Sequence, residues 1–395
     1  MSAPTVAPAA SRPHLTVGGQ QIPVVLPNRR DPRLKLSAVI ITLHVLGQTV
    51  LGFKVSIAQI LVTMLVCGLI DAAVTFRSGR MLVWPASGIL TGSSIAFILR
   101  ASGTRHGDWW SLHGIQFFVL AGVISLLSKH LVRPTGRHLF NPSNVGIVWC
   151  LLVVGPNHVF AQYLWWGPNH AGVAFAYAVI AFGAFWILRS VRMIPMAVSF
   201  LATFAVLMGI FALVGRSFFA IWHVGPIQGL SYWATIALSP EVLVFVFFMI
   251  SDPQTAPKVP SARVIYGAAV AVVAAALLFF QHTEFGIKVS ILSSLTVVCA
   301  VVPFLEAAVR HRQLQRALAA DGAGAGTDAP PEAEPPRVPV PSRPPLVTVL
   351  ARLRRPAVAA AVVIALAAPV DTALLARNRQ ALLIERGEVG KANAQ

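Results

Sequence analysis

Residues 193–214 read MIPMAVSFLATFAVLMGIFALV, an apolar run without a charged residue that lies between Arg192 and Arg216. About 20 apolar residues are enough for a helix to cross the hydrocarbon core of a bilayer. The whole chain shares this character, because 56% of its 395 residues are hydrophobic, only 11% are charged, and the mean hydropathy is +0.72. A soluble globular protein carries about twice that share of charge. The composition therefore excludes a soluble enzyme and predicts an all-α integral membrane protein.

Similar apolar runs on both sides of this one predict ten transmembrane helices within a membrane domain at residues 35–310. Lys and Arg concentrate in alternate connections, and the other connections hold only Lys54, Arg100, Arg105, Arg216 and Lys288. By the positive-inside rule, this asymmetry predicts a multi-pass plasma-membrane protein with a cytoplasmic N-terminus. The predicted spans lie at residues 35–53, 55–75, 82–99, 113–132, 143–163, 171–189, 193–214, 232–250, 263–281 and 287–308.

Both ends of the chain differ in composition from the membrane domain. Residues 1–34 are rich in Pro, Ala and Ser and then basic, which predicts a cytoplasmic tail. Residues 311–355 form a Pro-, Ala- and Gly-rich linker that cannot bury a core and is expected to be disordered. Residues 356–377 are a candidate eleventh helix, either transmembrane or interfacial, and residues 378–395 form a second tail.

Charge and cysteine content restrict the partners and cofactors. The net charge of +17 lies in short clusters between apolar runs, so we expect the lipid bilayer as a partner and no nucleic acid. Cys67, Cys150 and Cys299 each lie alone in a different apolar run, and no metal-ligand spacing occurs, so we expect buried thiols and no metal. Nucleotide-binding loops and hydrolase motifs are also absent from the sequence, which therefore assigns no reaction.

The stretch WPASGILTGSSIA at residues 84–96 is rich in small residues and has two interpretations. Gly88 and Gly92 have the spacing that allows two helices to pack closely. Alternatively, the stretch is a flexible half-helix that lines a substrate path, and Ser87, Thr91 and Ser94 are then its candidate contacts.

A second polar stretch, FNPSNVG at residues 140–146, begins the fifth predicted span. Asn141 followed by proline predicts a helix start with Asn141 as its cap. Ser143 and Asn144 then place polar groups at a positive helix end, which can hold an anion. A cap alone would not require Asn144, so we also regard these residues as a candidate binding site.

A third polar stretch, FMISDPQTAP at residues 248–257, ends the eighth predicted span. The proline after Asp252 stops the helix, whereas the polar residues Asp252 and Thr255 exceed what a helix stop needs. The charge pattern places this stretch and the start of the fifth span on the same side. We therefore expect Asn141, Asn144 and Asp252 to lie close together; the alternative is two unrelated helix ends.

Ionisable residues near membrane depth form the last group of candidates. Glu241 lies inside the eighth span, where a carboxylate is costly unless it is paired or functional. Asp71 and Glu306 lie near helix ends, and we expect them to pair with basic loops. Glu284, in the connection before the tenth span, is expected to be a solvated loop charge, with a proton or cation acceptor as the alternative.

At these motifs the chain resembles the NqrB/RnfD family, whose members are a membrane component of the sodium-pumping NADH:quinone oxidoreductase and its counterpart in Rnf-type electron-transport complexes. The resemblance implies two inverted five-helix repeats, a bound flavin, electron transfer coupled to cation movement, and neighbouring redox subunits. It rests on SGILTG at 87–92, KH at 129–130 with FNPSNVG at 140–146, WILR at 186–189 with IP at 194–195 and SFL at 199–201, FFMISDPQTA at 247–256 with ARVIYG at 262–267, and VVPFLE at 301–306.

The chain departs from this family in the connection between the fifth and sixth spans. Typical members attach FMN to a threonine there, whereas residues 155–170 are a short connection without threonine. We therefore expect no covalent flavin, and a non-covalent flavin, FMN or riboflavin, remains compatible. The shortened form resembles stand-alone relatives found with enediyne biosynthesis genes. Two functions follow: a subunit of flavin-linked electron transfer and ion transport, or a redox-independent permease for a small molecule or ion beside biosynthetic enzymes.

Overall fold

The computed structural model describes residues 13–17, 20–28, 31–133, 136–167, 169–324, 377 and 381–384, which are mostly helical. The helices are α1 (Pro32–Thr49), α2 (Ile57–Gly79), α3 (Ala86–Ile98), α4 (Ile115–Leu131), α5 (Pro142–Val153), α6 (Ala171–Val191), α7 (Ile194–Leu213), α8 (Gly229–Ala237), α9 (Pro240–Val244), α10 (Pro260–Leu278) and α11 (Glu284–Gly324). A π-helical turn, Phe245–Met249, directly continues α9.

Six helical segments in the described part of the chain are long and apolar enough to cross a bilayer. They are α2, α6, α7, α10, the segment Gly229–Met249 that contains α8, α9 and the π-helical turn, and the segment Glu284–Phe304 of α11. The helices α3, α4 and α5 are apolar but shorter. These segments establish a multi-pass membrane protein, and the charge-free run that predicted a span forms α7.

The buried core lies between the helices, while large apolar side chains also cover the outside of the bundle. Phe118, Phe200 and Phe204 are at most 1% exposed, whereas Phe182 and Leu213 are 67% and 89% exposed. A helix that is apolar on every face is expected where one side meets lipid instead of water. Cys67, Cys150 and Cys299 are buried free thiols, as predicted.

Two helices are shorter than the apolar runs that predicted them: α3 begins at Ala86 instead of residue 82, and α5 ends at Val153 instead of residue 163. After α3 and α5 the chain continues as the strands β4 (Leu99–Ala101) and β5 (Val159–Ala161), which pair antiparallel and are fully buried. The apolar composition concealed these strands, because Leu, Val and Phe suit a buried strand as well as a helix. Their pairing satisfies backbone groups that the ends of α3 and α5 leave inside the protein.

The remaining strands lie near the two ends of the bundle. In order along the chain, β1 (His14–Val17), β2 (Gln20–Val25) and β3 (Leu82–Val83) form one sheet, and β6 (Ser217–Phe218) pairs with β7 (Ile227–Gln228). Along the chain, β4 and β5 come after β3 and before β6. The described part of the predicted N-terminal tail thus contains β1, β2 and the start of α1.

The C-terminal part of the chain is described only in places. The helix α11 continues to Gly324, past the predicted domain boundary at residue 310. The rest of the predicted linker and almost all of the predicted helix at 356–377 lie outside the described residues. Arg377, which is described, donates to the carbonyl oxygens of Leu152 and Val153 at the end of α5, at 3.1 and 2.6 Å.

Glycine allows α3 to pack closely against α2. A Cβ atom on Gly92 would lie 2.6 Å from the carbonyl oxygen of Thr63, and one on Gly88 would lie 2.6 Å from that of Cys67. Such distances are too short for any side chain, so only glycine permits this approach. The packing interpretation of the two glycines is therefore confirmed.

Candidate functional site

A cavity of about 640 Å³, which we call the vestibule, lies where α3 and α5 begin. A pocket of this volume is in the range that holds small organic ligands. Most of the polar residues singled out in the sequence line it. They are Ser87, Thr91 and Ser94 of α3, Asn141 and Ser143 at the start of α5, and Asp252 after the π-helical turn.

The helix α3 uses two different faces for packing and for the vestibule. Ser87, Thr91 and Ser94 recur at the spacing of one helix face and line the cavity, while Gly88 and Gly92 face α2. The Thr91 hydroxyl donates to the carbonyl oxygen of Ser87 at 2.9 Å. Close packing and a polar lining therefore coexist on one helix, and the role of the hydroxyl groups as ligand contacts stays a prediction.

An ion-pair cluster anchors the start of α3 at the vestibule. The Asp71 carboxylate accepts from Lys129 Nζ at 2.6 Å, from His130 Nε2 at 3.0 Å, and from the backbone N–H of Gly88 at 3.0 Å. Lys129 also donates to the Ser87 hydroxyl at 3.0 Å. Asp71 was expected to pair with a basic loop; it pairs with basic residues, but these lie in the last turn of α4, and the pairing places an ammonium group in the vestibule lining.

A second ion pair lies in the vestibule lining, at the start of the first helix. Asp31 caps α1, and its carboxylate accepts from the Arg33 guanidinium at 2.6 Å. The hydrogen bonds from Arg33 hold the pKa of Asp31 below its ordinary value. The carboxylate is therefore charged at neutral pH and keeps Arg33 in place.

Asn141 connects the start of α5 to the π-helical turn. Its Nδ2 donates to the carbonyl oxygen of Met249 at 3.1 Å, and its Oδ1 accepts from the Ser143 hydroxyl at 3.0 Å and from the N–H of Asn144. His138, just before Asn141, lies 3.4 Å from Asp252 through its Nε2. The structure thus brings Asn141 and Asp252 to the same cavity.

Asn144 and Thr255 have other surroundings than the vestibule lining. The Asn144 amide donates to the carbonyl oxygen of Leu292 at 2.8 Å and to the Thr296 hydroxyl at 3.0 Å, which connects α5 to α11. Thr255 is 2% exposed, and its N–H closes the turn onto the carbonyl oxygen of Asp252 at 3.1 Å. Neither residue lines the vestibule, and each contacts a residue of its lining.

Glu241 lies in a separate, smaller cavity of about 30 Å³, which we call the inner chamber. Lys288 of α11 also lines it. Four apolar residues line both the inner chamber and the vestibule, and we call them the partition: Phe97, Ile98, Val244 and Met249. Apart from Asn144 and Thr255, the predicted site residues therefore line two cavities on either side of one layer of side chains.

Sequence reasoning missed a buried charged cluster beyond the inner chamber. Glu284 is 4% exposed, so its interpretation as a solvated loop charge is wrong. Its carboxylate accepts from the N–H of Leu164 at 2.6 Å, from Lys288 Nζ at 2.8 Å and from Trp222 Nε1 at 2.8 Å. The four-residue spacing of Glu284 and Lys288 at a helix start was the signal that could have found this pair.

Two further cationic side chains, those of Lys54 and Arg100, contact Tyr163 beside this cluster. Its hydroxyl oxygen accepts from Lys54 Nζ at 2.9 Å and from Arg100 Nη1 at 3.3 Å. Arg100 and Lys288 are 7% and 4% exposed, although the charge pattern counted both as loop residues. The connections on this side of the bundle therefore fold inward and carry charge into the protein.

Broken helices around a polar cavity in a multi-pass bundle are the arrangement in which many membrane transporters bind a ligand or an ion. Residues 154–315 match the model of the NQR2, RnfD, RnfE family, in agreement with the resemblance found in the motifs. The match includes Glu241, Asp252 and Lys288. No curated protein matches the sequence.

Proposed function

We propose that this protein is a membrane subunit that moves a cation across the bilayer in step with flavin-linked electron transfer, beside other redox subunits. The vestibule is the observation that carries the proposal. The short helices α3 and α5 both begin at this polar cavity, and interrupted helices of this kind surround the binding sites of many transporters. The family match supports this class of protein, because members of the family are membrane subunits of ion-translocating electron-transport complexes.

The packing of the helices supports ten spans in two inverted repeats, if the broken segment Gly229–Met249 counts as one span. In the first half, α2 packs against α3 and α4, and α4 packs against α5. In the second half, α7 packs against α8 and α10, and α10 packs against α11. The second set of contacts repeats the first set five spans later. Because five is odd, the second repeat crosses the membrane in the opposite sense.

Features at the vestibule end of the bundle support the proposed orientation in the membrane. Residues 20–25 form β2, which pairs with β3 just before α3, so the N-terminal strands lie at this end. Lys129 and Arg137 also lie at this end, Lys129 in the vestibule lining and Arg137 against Glu306 at 2.9 Å. The positive-inside rule therefore supports a vestibule open to the cytoplasm and a cytoplasmic N-terminus in the plasma membrane.

The vestibule fits a non-covalent flavin in volume and in chemistry. Trp84 and Phe248 provide aromatic surfaces, and Lys129 and Asn141 provide polar groups near two helix starts. We propose that these four residues hold FMN or riboflavin, which would supply one- or two-electron transfer when bound. Residues 155–170 contain no threonine, so the proposed binding is not covalent.

A matched pair of threonine variants tests the proposal. Thr91 lines the vestibule, whereas Thr42 of α1 is exposed, and both hydroxyls donate to the carbonyl oxygen four residues earlier at 2.9 Å. Thr91→Val is expected to lower both flavin retention in mild detergent and reductant-dependent cation flux in proteoliposomes at least fivefold, while Thr42→Val leaves both unchanged. Purified protein without a flavin spectrum and without reductant-dependent flux would contradict the proposal.

The second candidate function is a redox-independent permease for a small molecule or ion, serving natural-product biosynthesis of the enediyne type. The threonine-free connection at residues 155–170 favours it, because a typical flavin-attachment segment is missing there. Solute or ion flux in proteoliposomes that contain no electron donor would decide for the permease. Strict dependence of the flux on a reductant would decide against it.

A further inference from the structure

We infer that Glu241 is the group inside the membrane that takes up the transported cation, that this cation is a proton, and that Lys288 is its fixed countercharge. The inference rests on the proposed cation transport and names its ion. It concerns the inner chamber, beyond the partition, and not the flavin proposed for the vestibule.

The position of Glu241 follows from an interruption in its helix. The helix α8 ends at Ala237, the Ser239 hydroxyl accepts from the N–H of Val242 at 3.1 Å, and Pro240 begins α9. The break therefore lies inside the segment Gly229–Met249, which is long enough to cross the bilayer. It brings a carboxylate into the interior of the bundle, where such groups are rare and costly unless they have a function.

The two oxygens of the Glu241 carboxylate have different surroundings. Oε2 lies 3.7 Å from Lys288 Nζ, whereas Oε1 is buried and has no hydrogen-bond partner among the described residues. The side chain is 15% exposed and lines the inner chamber. A buried carboxylate oxygen without a donor is unfavourable, and a proton bound to it removes the charge that causes the cost.

The charged neighbours allow Glu241 to gain and lose a proton without leaving Lys288 unpaired. Lys288 Nζ is closer to Glu284, at 2.8 Å, than to Glu241, at 3.7 Å. When Glu241 takes up a proton it becomes neutral, and Lys288 and Glu284 remain as an ion pair. Arg100 of β4 also acts on Glu241 electrostatically, and Tyr163 lies between Arg100 and Lys288.

The composition of the inner chamber favours a proton over a sodium ion. A sodium ion needs several oxygen ligands, as other hard cations do. Apart from Glu241 and Lys288, the residues that line the chamber are apolar, and its volume of about 30 Å³ holds one or two water molecules. The Lys288 ammonium group would also repel a metal cation, whereas a proton needs only the free oxygen of Glu241.

The partition provides the route between Glu241 and the vestibule. The same four side chains line both cavities, so the partition is one layer thick. Val244 and Met249 belong to the end of α9 and to the π-helical turn, and π-helical turns within helices occur often at functional sites. A water molecule that passes this layer connects Glu241 to the vestibule.

Infrared spectroscopy of the reconstituted protein tests the inference without turnover. Spectra are compared between acidic and alkaline pH, with Glu241→Gln as the variant and Asp108→Asn, in an exposed loop, as the control. We expect a protonated-carboxyl band that titrates in the wild type, persists in Asp108→Asn and is lost in Glu241→Gln. A band unaffected by Glu241→Gln would overturn the inference.

Two further measurements separate this inference from the proposed function. Replacing potassium chloride with sodium chloride should leave the titration of the carboxyl band unchanged, and a shift would identify sodium as the occupant instead. In proteoliposomes supplied with a reductant, Glu241→Gln should lower proton flux at least tenfold and leave the flavin content unchanged. Full proton flux in this variant would overturn the inference, whereas a wild type that lacks flavin-dependent flux but keeps the titrating Glu241 band would overturn only the proposed function.

Discussion

Replacing Gly92 with alanine should separate α3 from α2 and destabilise the protein. A Cβ atom at this position would lie 2.6 Å from the carbonyl oxygen of Thr63 and 2.8 Å from the Cα atom of Met64, whereas ordinary contact begins at 3.4 Å. Both contacts are with backbone atoms, which cannot rotate away as a side chain can. The two helices must therefore move apart or bend.

The magnitude follows from two opposed effects. Forcing an additional methyl group into a packed interface costs about 1–3 kcal/mol. Alanine in place of glycine inside a helix gains about 0.5–1 kcal/mol, since it loses less backbone freedom on folding. We therefore expect a net loss of about 1–2 kcal/mol, which lowers the folding equilibrium constant by a factor of about 5–30.

Gly209 offers a matched control in α7. A Cβ atom there would lie 3.7 Å from the Trp233 ring, which is ordinary contact, so Gly209→Ala should be neutral or stabilising by up to about 1 kcal/mol. Unfolding of both variants in mixed micelles with increasing dodecyl sulfate, followed by circular dichroism, measures the difference. If Gly92→Ala is as stable as Gly209→Ala, the close packing of α2 and α3 is refuted.

Three further predictions concern contacts between distant parts of the chain. Asn144→Leu should cost about 1–3 kcal/mol in the same assay, because it removes two hydrogen bonds from α5 to α11, and an unchanged stability would contradict this. Asp71→Asn should cost about 3 kcal/mol by leaving Lys129 without its counter-ion, and adding Lys129→Met should recover part of the loss, whereas additive losses would exclude the coupling. Reporter tags at the two chain ends should be accessible from opposite sides of the membrane, because Arg377 lies at the end of α5 away from the vestibule. Labelling of both tags from one side would disprove this.

The helices that could be predicted are those whose apolar runs end at a charge or a proline. Arg192 and Arg216 enclose α7, and Asn141 with Pro142 marks the start of α5. The early end of α5 could not be predicted, because pairing of β4 with β5 depends on residues far apart in the sequence. The amino-acid composition of either strand does not indicate that the two strands pair.

The site also divides into residues that could be predicted from the sequence and residues that could not. Asn141 and Asp252 were predictable, since residues that interrupt a helix and exceed the needs of a cap stand out in an apolar sequence. Glu284 and Lys288 were missed, because counting loop charges treats every connection as open to water. Their burial results from the inward fold of the connections, which is a tertiary feature.

The shortness of α3 and α5 also constrains how the protein is made. With 13 and 12 residues, they extend about 20 Å and 18 Å at 1.5 Å per residue, and the hydrocarbon core is about 30 Å thick. The end of α3 finds its strand partner only when residues 159–161 have left the ribosome. A nascent chain that has reached α4 therefore still holds exposed backbone groups at membrane depth. Insertion of α3 must be delayed, or shielded by the translocon, until β5 arrives.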